Sequence, residues 1–155
     1  MTDKTNKPNT IGTFTGALEQ LYRLGVICKT VVDIGCADRH FSLSHYPLFP
    51  GALLINIDAN PDYLPSLKAI SDVMGGAHFV TAVTDVVGEI EVTTAAHPYW
   101  DSVRAEGDSY WQGVNNLHTG KRRAPSITLD SLKRQLPLIS PYLLKLDVQG
   151  AEELV

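Results

Sequence analysis

Cysteine is scarce in this 155-residue chain, which has only Cys28 and Cys36. Two thiols so close to one strand make no disulfide framework, and they read as free thiols of a reducing cytoplasm. No continuous apolar run reaches the ~18 residues that a membrane span requires. The first ten residues, MTDKTNKPNT, lack the apolar core of a signal peptide. Residues 1–12 therefore read as a mobile tail. Positive charge is not in excess either: 13 Lys and Arg stand against 17 Asp and Glu, giving a formal charge of −4 and a pI near 5.6. That balance argues against a surface built for non-specific nucleic-acid binding, while leaving room for a local basic patch. Internal repeats and low-complexity segments are absent. What is present, 44% hydrophobic and 19% charged residues, is the composition of one soluble globular domain long enough to bury a core.

The chain is organised around Thr30 to Leu43, TVVDIGCADRHFSL. Val31, Val32 and Ile34 suit a parallel strand covered on both faces, and Gly35 lets backbone approach a ligand without a Cβ in the way. A helix beginning near Asp38 aims its first N–H groups at that turn. Upstream, Phe14, Ala17, Leu18, Leu21 and Leu24 form a helical stripe over Thr13 to Leu24, with Gly25 at the C-terminal cap. Downstream, Pro47 and Pro50 end the short helix, and Ala52 to Ile57 is a second apolar run stopped by Asp58. Asn60 and Pro61 look like an N-cap and first helical residue of a helix reaching Met74, unless that helix starts at Pro65.

His78 to Val83 is the third strand candidate, ending at Thr84 and Asp85, and Glu89 to Thr94 a fourth, peripheral one. Residues 95–126 lose periodicity and read as a lid or substrate loop. Ile127 to Leu136 reads as a short strand passing into a helical turn. Tyr142 to Leu146 reads as a last buried strand stopped by Asp147, with a helix beginning at Ala151. Strand, acid, turn and helix in repetition indicate an open α/β sheet with right-handed crossovers, in which ligands bind at the carboxyl ends of strands. Asp33, Asp58, Asp85 and Asp147 all fall at or just past such ends.

Asp58 lies 23 residues after Gly35, near the spacing at which an acid holds the two hydroxyls of a ribose; it also suits an Asx turn with Asn60. The turn GCADRHF lacks the G-x-G-x-x-G spacing of dinucleotide folds. Its single glycine leaves less room for a pyrophosphate than for a smaller, cationic adenosyl ligand.

Taken together, VVDIGCADRHFSL, INIDANPDYLPSLK, AVTDVVGEIEV, ITLDSL and YLLKLDVQGAEELV resemble the FkbM family of S-adenosylmethionine-dependent methyltransferases, with KLDVQGAE the most specific part. The resemblance runs from about Leu21 onward. It implies a Rossmann-like class I methyltransferase sheet with flanking helices over residues 13–155. It also implies methyl transfer from S-adenosylmethionine to a hydroxyl oxygen of a small molecule such as a sugar or polyketide. By the same resemblance Asp33, Gly35, Cys36 and Ala37 belong to the first cofactor motif, Asp58 to the ribose, Ala59 and Asn60 to the adenine side, and Val83 to the adenine ring. Asp147 faces cofactor and acceptor.

Three departures accompany the resemblance. Arg39 stands where the family pattern has a second glycine, and Ala37 where an asparagine is usual. A complete fold of this class has further C-terminal strands, so the chain reads as a partial catalytic domain, or else as a non-catalytic module retaining the fold.

The remaining candidates are weaker. Cys36 has no histidine partner and reads as a small buried thiol. His40, His45, His78, His97 and His118 lack metal-ligand spacing. Glu152 reads as a dipole partner in its helical turn rather than a metal ligand with Asp147. Lys121, Arg122 and Arg123 read as a solvated turn, with steering of an anionic acceptor as the other option. Trp100, Tyr110 and Trp111 either stack on a sugar or anchor the long loop.

Overall fold

The computed structural model describes residues 12–38, 40–95, 101–102, 118–149 and 151–155. Arg39, His97, Trp100, Tyr110, Trp111 and most of the proposed tail therefore lie outside the described residues. Helix α1 (Phe14–Arg23) opens on Thr13, whose Oγ1 accepts the Gly16 amide at 3.0 Å and so satisfies one of the donors a helix start leaves orphaned. Gly25, at φ +74°, takes the left-handed position past its end. Strand β1 (Thr30–Ile34) is buried along its whole length. The following helix, α2 (His40–His45), is only six residues long.

Strand β2 (Leu53–Asp58) leads through a 3₁₀ turn at Pro61–Tyr63, capped by the Asn60 side chain, into helix α3 (Leu64–Met74). The third predicted strand divides into β3 (Ala77–Val80) and β4 (Ala82–Val83), which belong to different sheets. Thr81 is the divider. Its amide still bonds the Asp58 carbonyl, while its hydroxyl turns to the Pro125 carbonyl of the neighbouring sheet.

Strand β5 (Gly88–Ala95) pairs antiparallel with β6 (His118–Ile127), so the last ten residues or so of the predicted loop are regular structure. The strand is hard to see in sequence because one face is solvated. Lys121 and Arg123 point outward to diagonal partners Glu91 and Glu89, where an apolar alternation would otherwise mark it. Lys121, Arg122 and Arg123 are thus strand residues, not a turn. Helix α4 (Leu129–Gln135) follows, and β7 (Tyr142–Leu146) returns to the first sheet before a closing 3₁₀ turn at Glu152–Leu154.

The main sheet has the order β3-β2-β1-β7 and every pairing in it is parallel; the second sheet has the order β4-β6-β5. The alternating side chains of β1 and β2 divide the core into two layers. Val31 and Leu54 face one side with Leu18, Phe41 and Ile70 from α1, α2 and α3. Val32, Ile34, Ile55 and Ile57 face the other side with Val83 and Leu132. The protein is therefore an α/β sheet with helices on both faces, the arrangement expected of buried parallel strands. β7 corrects the expectation of a buried strand: as the outermost strand of this sheet it leaves Tyr142 and Leu144 about two-fifths exposed, at 43% and 42%. Among the described residues no helix is long and apolar enough to cross a membrane.

Candidate functional site

The carboxyl ends of β1, β2 and β7 open into a cleft of about 460 Å³, a size suited to a small-molecule ligand. Gly35 turns its floor at φ +69°. A Cβ placed there would lie 2.0 Å from the Asp147 carbonyl oxygen. Glycine is demanded here by the close approach of β7's end as well as by the dihedral angle. The space that a missing Cβ would leave for a ligand is filled in the structure by backbone at the end of β7.

Asp58 holds the cleft together from the end of β2. One carboxylate oxygen accepts the Ala37 amide at 2.8 Å and the other the Asn60 amide at 2.8 Å. The Asx turn with Asn60 is therefore present, and the same carboxylate lines the cleft. Each oxygen keeps a further lone pair. Burial pushes the Asp58 carboxyl above the ordinary carboxylate range, against the two amide bonds and the positive charges of Arg122 and Lys145.

Asp33 is fully buried beneath the floor and does not line the cleft. Ser42 Oγ lies 3.0 Å from one of its oxygens and 2.6 Å from Asn56 Oδ1. A single hydroxyl proton serves one of these acceptors, and the carboxylate is the stronger. Lys145 Nζ approaches the other Asp33 oxygen at 3.0 Å, donates to the Gly35 carbonyl at 2.7 Å, and lies 3.6 Å from Asp147. It thereby ties β7 to the glycine turn. Burial again dominates and raises the Asp33 carboxyl, with Lys145 and Ser42 opposing. Breaking this buried pair from either side would strand a charge, which is its main energetic consequence.

Cys36 lines the cleft but is 4% exposed, and burial followed by the charges of Asp33 and Asp58 drives its thiol well above the ordinary value. It is protonated at neutral pH and is no nucleophile. Asp147, past the end of β7, is an open carboxylate, with 59% of its side chain exposed. Gln149 beside it holds φ +55°.

The structure brings Gly35, Cys36, Ala37, Asp58 and Asp147 to one cleft. Ala59 contributes its carbonyl to Arg122, and Asn60 caps the turn that follows; neither lines the cleft. Val83 is placed elsewhere, in the core against the opposite face of the sheet. Asp85 is exposed beyond β4, because the division of the third strand carries it off with the second sheet. Glu152 is exposed and lies outside the cleft lining. Among the described residues no cluster of His, Cys, Asp and Glu is arranged to hold a metal ion.

Several residues of the cleft are not cleft candidates in the sequence, where Phe14 belongs to a helical stripe and His45 only to the histidines without metal-ligand spacing. Phe14, Phe41 and His45 form one wall through ring contacts at 5.1–5.7 Å, and the His45 ring nitrogens meet Thr15 Oγ1 and the Phe41 carbonyl. Val92 contributes to the wall from the second sheet, and Asp101, held against that sheet by Arg122, adds to it. Lys145 is the register partner of Asp33 in the parallel pairing of β7 with β1, which sets the two side chains on one face, and that pairing carries no local signal. Phe14 carries no local signal, because only the packing of α1 brings it there. No family model, curated protein or solved structure matches the chain.

Proposed function

We propose that the cleft binds S-adenosylmethionine and that the protein transfers a methyl group to a hydroxyl oxygen of a small molecule. The observation that carries this reading is Asp58: a carboxylate at the end of the second parallel strand, pinned by the amides of Ala37 and Asn60, with lone pairs left for a ribose. The donor set fits the cofactor's charge. Among described lining residues there are four carboxylates, Asp38, Asp58, Asp101 and Asp147, and one lysine, whose protons are directed to Gly35, Asp33 and Asp147; Asp101 is paired with Arg122, which leaves three carboxylates beside that lysine. Such a lining favours a cation.

When bound, the cofactor supplies a methyl group on a sulfonium. Asp58 holds the ribose, and the Gly35–Ala37 backbone shapes the floor beside the methionine part. The rings of Phe14 and Phe41 give the cleft an apolar side, and Asp147 orients the acceptor hydroxyl. Catalysis of this kind is mainly positioning, with little acid–base machinery.

The test is calorimetric titration with S-adenosylmethionine and S-adenosylhomocysteine, comparing wild type with Asp58→Ala. Wild-type binding weakened by about 2 kcal/mol or more in the variant is the expected result, since two ribose hydroxyls lose their acceptor. Absence of wild-type binding at millimolar ligand leaves a module that keeps the fold without the chemistry. An unchanged dissociation constant in Asp58→Ala removes that residue from the site.

A further inference from the structure

Asp101 and Ser102 belong to no strand, yet they are tied to both sides of the cleft. Ser102 and Thr93 exchange backbone hydrogen bonds at 2.7 and 3.0 Å, which fixes the pair against β5. On one side Ser102 Oγ donates to the Gln149 carbonyl at 3.0 Å, beyond the end of β7. On the other, Asp101 accepts from Arg122 Nη2 at 2.9 Å, and Arg122 Nη1 donates to the Ala59 carbonyl at 2.8 Å, immediately after Asp58. The second Asp101 oxygen accepts the Ala95 amide at 3.0 Å. β2 and β7 flank β1 in the sheet, so the two anchor points stand about 10 Å apart, two strand spacings, across the end of the central strand.

Arg122 differs from the bases on either side of it. Lys121 and Arg123 point to solvent, and their pairs with Glu91 and Glu89 are more than half exposed on both partners. Such pairs contribute little. Strand alternation turns Arg122 inward, where its side chain is 21% exposed and that of Asp101 12%. Its planar fork reaches a carbonyl and a carboxylate at once, a geometry a lysine cannot reproduce.

We propose that Arg122 is a positioning residue for the ligand, fixing residues 101–102 as a strap across the carboxyl end of β1 and holding the Ala59 loop against the nucleoside that Asp58 binds. The role toward the nucleoside rests on the adenosyl reading of the cleft; the strap itself does not. Arg122 touches no reacting atom and acts through Ala59 and Asp101.

The experiment combines backbone amide exchange and S-adenosylhomocysteine titration on the full chain, for wild type, Arg122→Gln and Arg122→Lys. In Arg122→Gln the Asn60 and Ser102 amides should exchange about tenfold faster while β1 amides keep their protection, because the opening is local. S-adenosylhomocysteine should bind about fivefold or more weakly through lost preorganisation, and Arg122→Lys, restoring one of two contacts, should lie between. Unchanged exchange at Asn60 and Ser102, or acceleration spreading equally into β1, overturns the strap. Wild-type binding that Arg122→Gln leaves intact overturns the role toward the ligand. Should wild type bind no S-adenosylhomocysteine, the adenosyl reading fails, and the exchange measurement still decides the strap. Should Arg122→Gln not fold, Asp101→Asn, which weakens the same link, takes its place with the same two outcomes.

Discussion

Ala37 holds φ +44° at the floor of the cleft, in a region where a Cβ costs about 1 kcal/mol. The bond from its amide to Asp58 keeps it there. Asparagine is among the few residues that tolerate this conformation, and it is also what the methyltransferase resemblance leads one to expect at the position. Ala37→Asn should therefore stabilise the fold by about 0.5 kcal/mol, read as a rise in the urea midpoint at constant slope. A fall in the midpoint would show that the turn is not strained at this residue. Gly35, two residues before, has no such latitude, since any side chain meets the Asp147 carbonyl. The floor thus contains one position where glycine is obligatory and one where alanine is merely endured.

At the scale of elements, the two sheets have different work. The parallel sheet sets Gly35, Asp58 and Asp147 side by side, and the β5–β6 ribbon supplies the facing wall through Val92 and through Asp101, which Arg122 and the Ala95 amide hold against it. Helix α4 lies on the other face, anchored by the fully buried Leu132 and started by Thr128, whose hydroxyl accepts the Ser131 amide at 3.1 Å. Removing that cap with Thr128→Ala should cost about 1 kcal/mol of stability. Because α4 contributes nothing to the cleft lining, ligand affinity should be unchanged in the same variant. A loss of affinity by titration would mean that the two faces of the sheet are coupled.

For the whole molecule, the two buried carboxylates give stability a pH dependence of definite sign. Burial raises both Asp33 and Asp58 above the ordinary carboxylate value of about 3.9. The folded state therefore keeps protons that the unfolded chain has released. Their contribution is fully present below the unfolded value and declines as pH rises through the folded ones. Asp58→Asn, which cannot titrate, should show a shallower decline than wild type when urea midpoints are compared from about pH 4 upward. Parallel curves for the two proteins would exclude Asp58 as a source of the dependence.

The sequence by itself determined the parallel sheet and most of the cleft floor. Val31, Val32 and Ile34 can only be satisfied by burial on both faces, and the acid-and-turn punctuation after each run marks the ends of parallel strands; both are local properties of the chain. Tertiary structure alone decided the rest. The third strand divides where the hydroxyl of Thr81 finds a carbonyl 44 residues away, and β6 exists because its backbone pairs with β5 across a ribbon that no local periodicity announces. Val83 and Asp85 leave the cleft with that division. Asp101, Lys145 and Phe14 enter it, with Arg122 behind Asp101, because a side chain's place at a cleft is set by which segments pack together rather than by what stands next to it in the chain.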